Sequence, residues 1–178
     1  MYEWSIADTI ESRSRDENAQ AEIWHSVRLT NDTKIPWTTA PAMTMKDGHL
    51  LGQDTLRYAA VGGRTTVRIT RAIDVQGEQA EYEVARDRNS ESFYGRSYDK
   101  VTVRGEIRAI NHKREGVRLE IEKLIQGELK KNPDGAVAAT IAEGLRQVNP
   151  TVRLTWSKQL EPGAPTVLGY EYTLFVRP

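Results

Sequence analysis

An all-β, mainly antiparallel fold is predicted by three features of this sequence. Apolar and polar residues alternate with period two in about six separate runs, Asn, Gly and Pro signals punctuate those runs, and the order of signals recurs in the two halves of the chain. The finer expectation is two tandem immunoglobulin-like β-sandwich repeats, residues 1–78 and 98–178, joined by a polar connecting segment at 79–97.

At the N-terminus Tyr2, Trp4 and Ile6 share one phase, which places them on a core face. Ile23, His25, Val27 and Leu29 then alternate with Trp24, Ser26 and Arg28, and Val67, Ile69 and Ile73 with Thr66, Arg68 and Thr70. The clearest runs follow. Val101, Val103, Ile107 and Ala109 form one, and Val117, Leu119 and Ile121 the next, with Asn111-His112-Lys113-Arg114-Glu115-Gly116 between them reading as a hairpin loop. Val152, Leu154 and Trp156 lead through Glu161-Pro162-Gly163 to Leu168, Tyr170, Tyr172, Leu174 and Val176, which reads as a second hairpin.

The repeated order is a strand, an asparagine, a second strand and a glycine turn. Asn31 and Gly63 mark it in the first half, Asn111 and Gly163 in the second, at spacings of 63 − 31 = 32 and 163 − 111 = 52 residues. The longer spacing implies an insertion at about 127–149. There Val137, Ile141, Leu145 and Val148 after Pro133-Asp134 suit one short helix near 134–148, while Val137, Ala139 and Ile141 suit a short strand equally well.

Val103-Arg104-Gly105-Glu106-Ile107, Asn111-His112-Lys113, Asn149-Pro150, Leu154-Thr155-Trp156, Pro162-Gly163 and Tyr170-Glu171-Tyr172 resemble the C-terminal β domain of bacterial mucoidy-inhibitor-like proteins, a family of unknown function. In the first half Asn31-Asp32-Thr33, the stretch from Pro36 to Ala42, and Gly52-Gln53-Asp54 resemble the strands that precede it. The resemblance implies a piece of a longer bacterial chain with a lean toward the cell envelope or periplasm. It implies no catalytic residue.

Lys plus Arg and Asp plus Glu both number 25, so no net field draws the chain to nucleic acid or to an anionic membrane. The absence of cysteine excludes disulfides, thiolate metal sites and cysteine nucleophiles. No apolar run is long enough to span a bilayer, and no membrane insertion is expected. The three histidines, His25, His49 and His112, lie in unrelated contexts without metal-pair spacing, so neither a metal nor another cofactor is expected. His25 has an inward phase and reads as a hydrogen-bonded core or rim residue.

Asp47 and Asp54 could form an acid/base pair, but Asp47-Gly48 is a turn signal and both carboxylates suit local backbone bonding. From Arg86 to Arg118 basic residues mingle with Phe93, Tyr94 and Tyr98, yet acidic residues alternate among them, as on a solvated sheet face. Trp156 belongs to the core. Trp24, opposite its strand's aliphatic face, and Trp37, after Pro36, suit packing between repeats and, with Phe93 and Tyr94, are the candidates for a partner-facing surface. The reading is a non-catalytic module of a larger bacterial protein, serving as spacer, scaffold or binder of protein or glycan. The alternative is an envelope polysaccharide hydrolase, or its accessory domain, using paired loop carboxylates.

Overall fold

The computed structural model describes residues 1–7, 22–131 and 134–178. Among them the chain forms strands β1 (Tyr2–Ala7), β2 (Ile23–Thr30), β3 (Ala40–Lys46), β4 (His49–Leu56), β5 (Arg64–Arg71), β6 (Val75–Phe93), β7 (Arg96–Asn111), β8 (Val117–Gln126), β9 (Glu128–Lys131), β10 (Val137–Ile141), β11 (Thr151–Leu160) and β12 (Pro165–Val176). The alternating runs thus became strands, and the fold is all-β. A six-stranded sheet, β10-β11-β8-β1-β2-β5, faces a four-stranded sheet, β6-β7-β12-β9, and β3-β4 stands apart as a two-stranded hairpin. The ladders are antiparallel except β1 with β8, which run parallel from Tyr2↔Leu119 to Ala7↔Leu124.

One buried cluster lies between the two large sheets. Trp4, Ile23, Leu119, Ile121, Leu154 and Trp156 enter it from the six-stranded side, and Val103, Ile107, Leu168, Tyr170 and Tyr172 from the other. Trp156 and Tyr170 meet across the gap with ring centroids 6.0 Å apart. Two glycines make room for these rings. A Cβ on Gly77 would fall inside the Trp4 indole, and one on Gly105 inside the Tyr170 ring.

The expected connecting segment 79–97 is ladder rather than linker. β6 pairs with β7 from Val75↔Asn111 to Phe93↔Arg96, around a Tyr94-Gly95 reversal with φ of 51° and 74°. The segment reads as polar because β6 is an edge strand whose inward positions include Gln79 and Glu81 rather than aliphatics. The halves also share a sheet, since β1 lies between β2 and β8, and both contribute to the one core cluster. No helix occurs among the described residues. Within 134–148 the chain forms β10 instead, paired with β11. Gly135 and Gly144 at φ of 69° and 91° interrupt helical backbone on both sides, and Leu145 finds no apolar surface to bury against. Pro133 lies outside the described residues. Ile73, expected on a strand face, falls beyond β5 and is exposed.

The two expected hairpins, at 111–116 and 161–163, are crossings between sheets. β7 pairs with β6 and β12, whereas β8 pairs with β1 and β11. Asn111, fully buried, clasps both crossings. Its Nδ2 donates to the carbonyls of Glu115 (2.8 Å) and Leu160 (3.2 Å), its Oδ1 accepts from the Lys113 amide (3.0 Å), and its carbonyl accepts from the Gly163 amide (2.7 Å). Asn31, also fully buried, repeats this pattern. Its Nδ2 donates to Ile35 and Ala59 carbonyls, its Oδ1 accepts from the Thr33 amide, and its carbonyl accepts from Gly62. The true counterpart of Gly163 is therefore Gly62, one residue before the glycine the sequence marks. A buried backbone crossing leaves donors and acceptors unpaired by any ladder, and a short amide side chain satisfies them.

Candidate interaction surface

The two clasps fix a common register. Trp37 and Val117, each the sixth residue after its asparagine, pair with Ala59 and Leu160, each the third before its glycine. Three residues further, Ala40↔Leu56 matches Glu120↔Ser157. β3 and β4 therefore occupy, in their half, the places that β8 and β11 occupy in theirs. The surroundings differ. Ile121, Lys123 and Ile125 on β8 lie in the core, whereas Pro41, Met43 and Met45 at the same offsets on β3 are exposed, Met43 at 67% and Met45 at 59%. On β4, Leu51 stands where Val152 stands on β11, and it too is open; Leu50, opposite Met45, is 60% exposed.

The hairpin turns this face outward because its other face is held to β5. That second face carries the half-buried Ala40, Ala42, Thr44, Gly52, Asp54 and Leu56. Gly52 has no Cβ to clash with the Ile69 carbonyl, and Asp54 Oδ2 accepts from the Arg68 backbone amide at 2.8 Å. That amide bond, above all, holds the Asp54 carboxyl below its ordinary range. The hairpin's tip is Asp47-Gly48, both at positive φ (51° and 79°), as a two-residue reversal of this kind requires.

The four residues expected to face a partner are spread over different elements. Trp37 stands at the base of the β3-β4 hairpin, half-buried and bridged to Ala59. Trp24, on β2, lies half-buried beneath the Arg68 guanidinium, 5.4 Å from the ring. Phe93 packs edge-on against Tyr98 and Phe175, and Tyr94 projects from the β6-β7 tip at 85% exposure. The methionines and leucines of the hairpin escaped the sequence reading. Met43 and Met45 share one strand phase before Asp47-Gly48, whereas Leu50 and Leu51 are adjacent and follow no alternation.

Groups that could carry chemistry are engaged structurally. His25 stacks on Tyr2 with centroids 5.0 Å apart, and desolvation lowers its pKa. His112 Nε2 lies 3.3 Å from Gln76 Oε1, and His49 is exposed opposite Lys46. Lys123 and Glu81 are a buried pair between the sheets, 3.2 Å apart. The Tyr170 and Tyr172 hydroxyls donate to Glu81, and Lys123 also donates to Gln79. Enclosed by the core, these groups tie β6 to β8. Four arginines of the 86–118 stretch form ion pairs: Arg86 with Glu83 and Asp99, Arg104 with Glu171, Arg108 with Glu78, and Arg118 with Glu120. Among the described residues no cluster of three or more His, Asp or Glu could hold a metal ion, and no helix is long and apolar enough to cross a membrane. No family model, curated protein or solved structure matches the chain.

Proposed function

We propose that this chain is a non-catalytic scaffold and docking module of a larger bacterial protein, built from two copies of one clasped strand unit of immunoglobulin-like kind. The resemblance to mucoidy-inhibitor-like proteins supports that setting. The observation that carries the reading is the exposed face of Met43, Met45 and Leu51, at strand positions whose counterparts β8 and β11 bury. One unit closes β8 and β11 over the shared core and the other presents the equivalent face to a partner. Its occupant is an apolar protein surface rather than a glycan, because flexible thioethers and aliphatics adapt to other side chains, whereas sugar platforms need open aromatic faces. The test is photocrosslinking in the parent protein from a benzophenone amino acid at position 43 or 45, with the exposed Lys34 position as control. Discrete protein adducts from 43 and 45 but not from 34 are expected. Equal labelling from all three positions would overturn the docking role.

A further inference from the structure

The edges of the sheets differ in how they are guarded. β5 is covered by the hairpin, through Asp54 on the Arg68 amide and Gly52 on the Ile69 carbonyl. β6 is broken by register shifts at Glu83/Ala85 and Asp87/Glu91 and carries many charges. β9 has four residues, three of them charged, and β3 carries Pro41 and a register shift at Thr44/Met45. Charges, proline, bulges and shortness are the means by which proteins keep exposed edges from pairing.

β10 is short, at five residues, but has no charge, proline or register shift to guard it. Its sequence is Val137-Ala138-Ala139-Thr140-Ile141, uncharged and without proline, its register with β11 is unbroken, and all five residues are exposed. It is the terminal strand of the six-stranded sheet, at the opposite edge from β5, and among the described residues only β11 pairs with it. We infer that β10 is a self-association edge, pairing antiparallel with β10 of a second copy about a twofold axis through Ala139.

The occupant follows from the sequence of the strand itself. In that register Val137 faces the partner's Ile141, Ala138 the partner's Thr140, and Ala139 the partner's Ala139. β-branched residues meet at both ends, small residues meet at the axis, and no charge opposes another. Because the register is centred on a residue, it presents complementary backbone groups whichever set of amides points outward, and the contact closes at two copies. A five-residue strand buries little surface, so the association is weak and depends on concentration, unlike an obligate dimer.

Sedimentation equilibrium of the whole chain tests it. The weight-average mass should rise from 20.1 kDa toward twice that value with concentration. Ala139→Lys and Ala139→Glu each place like charges opposite one another across the axis, so each alone should stay monomeric with an unchanged circular dichroism spectrum. Their equimolar mixture, with opposite charges facing, should associate at least as well as the wild type. A wild type that is monomeric throughout overturns the inference and leaves this edge to a strand of another protein. So do single variants that associate like the wild type, or a mixture that remains monomeric. A Met43→Gln/Met45→Gln protein should associate normally; if it alone loses association, the contact lies on the hairpin and not on β10.

Discussion

Replacing Asn111 by alanine removes three hydrogen bonds made by one buried side chain. The bond to the Leu160 carbonyl is buried, while those with the Glu115 carbonyl and the Lys113 amide are partly open to water. A buried acceptor left unpaired costs about 1–3 kcal/mol, and each water-accessible bond contributes about 0.5 kcal/mol net. The expected loss is therefore about 2–4 kcal/mol, a large share of the roughly 5–15 kcal/mol that holds a domain folded. Asn31→Ala should lose less, about 1–2 kcal/mol, because the Ala59 carbonyl keeps its bond from the Trp37 amide (2.9 Å) and only the side-chain bonds to Ala59, Ile35 and Thr33 are lost. Asn111→Asp sharpens the test. The carboxylate keeps the Lys113 amide but turns lone pairs toward two carbonyls, so its folded pKa rises above the ordinary value of about 3.9. The variant's deficit relative to wild type should then be smallest at acid pH and grow as pH rises through about 4 and above. Urea unfolding followed by the fluorescence of Trp4 and Trp156 measures all three. A loss below about 1 kcal/mol for Asn111→Ala, or an Asn111→Asp penalty independent of pH, would refute the clasp as the element that secures the sheet crossings.

Two further outcomes follow from groups already described. Lys123→Met removes the cation facing Glu81 inside the core and should destabilise by about 3–5 kcal/mol, while Lys123→Met with Glu81→Gln should recover much of that loss; a double variant as unstable as the single would refute their pairing. Asp54 has its pKa lowered chiefly by the Arg68 amide, so its charge stabilises the fold above the unfolded carboxyl value of about 3.8–3.9 and loses that effect as pH falls through the lower folded value. Asp54→Asn retains an acceptor without the charge. Its deficit against wild type in thermal unfolding should be present at neutral pH and vanish in strong acid, and a deficit equal at both would contradict this origin.

Alternation was readable where each strand has one wet and one dry face. Val101, Val103, Ile107, Ala109, Val117, Leu119, Leu154, Trp156, Leu168, Tyr170 and Tyr172 are all buried as their phases require, and Trp4 joins them. β6 was not readable, because its inward Glu81 is made compatible with the core by Lys123 from another sheet, a partner that lies 42 residues away in sequence (123 − 81 = 42). Asn31 and Asn111 were visible as markers, but their role as clasps depends on the distant carbonyls of Ala59 and Leu160. The exposed hairpin face was not legible: Met43 and Met45 share one phase as residues of a buried strand would, but Leu50 and Leu51 are adjacent, and the pattern alone does not distinguish a face left open from one that is covered.

By itself the sequence determined that the chain is built of strands and, on β1, β7, β8, β11 and β12, which side chains turn inward. It marked the reversal at Asp47-Gly48 but not the one at Tyr94-Gly95, and the register shift at His25/Ser26 turned Ser26 in and Val27 out against the phase of β2. Period two is a local property of extended backbone, and positive φ at glycine or asparagine is local as well. Only the tertiary structure decided which strand lies beside which. Backbone hydrogen bonds in a ladder are the same for any partner of matching length, so pairing β8 with β1 and β11 instead of β7 depends on how the sheets share one core. The same sharing let β8 and β11 close over Ile107 and Tyr170, while β3 and β4, held to β5 by Gly52 and Asp54, kept their equivalent face in water.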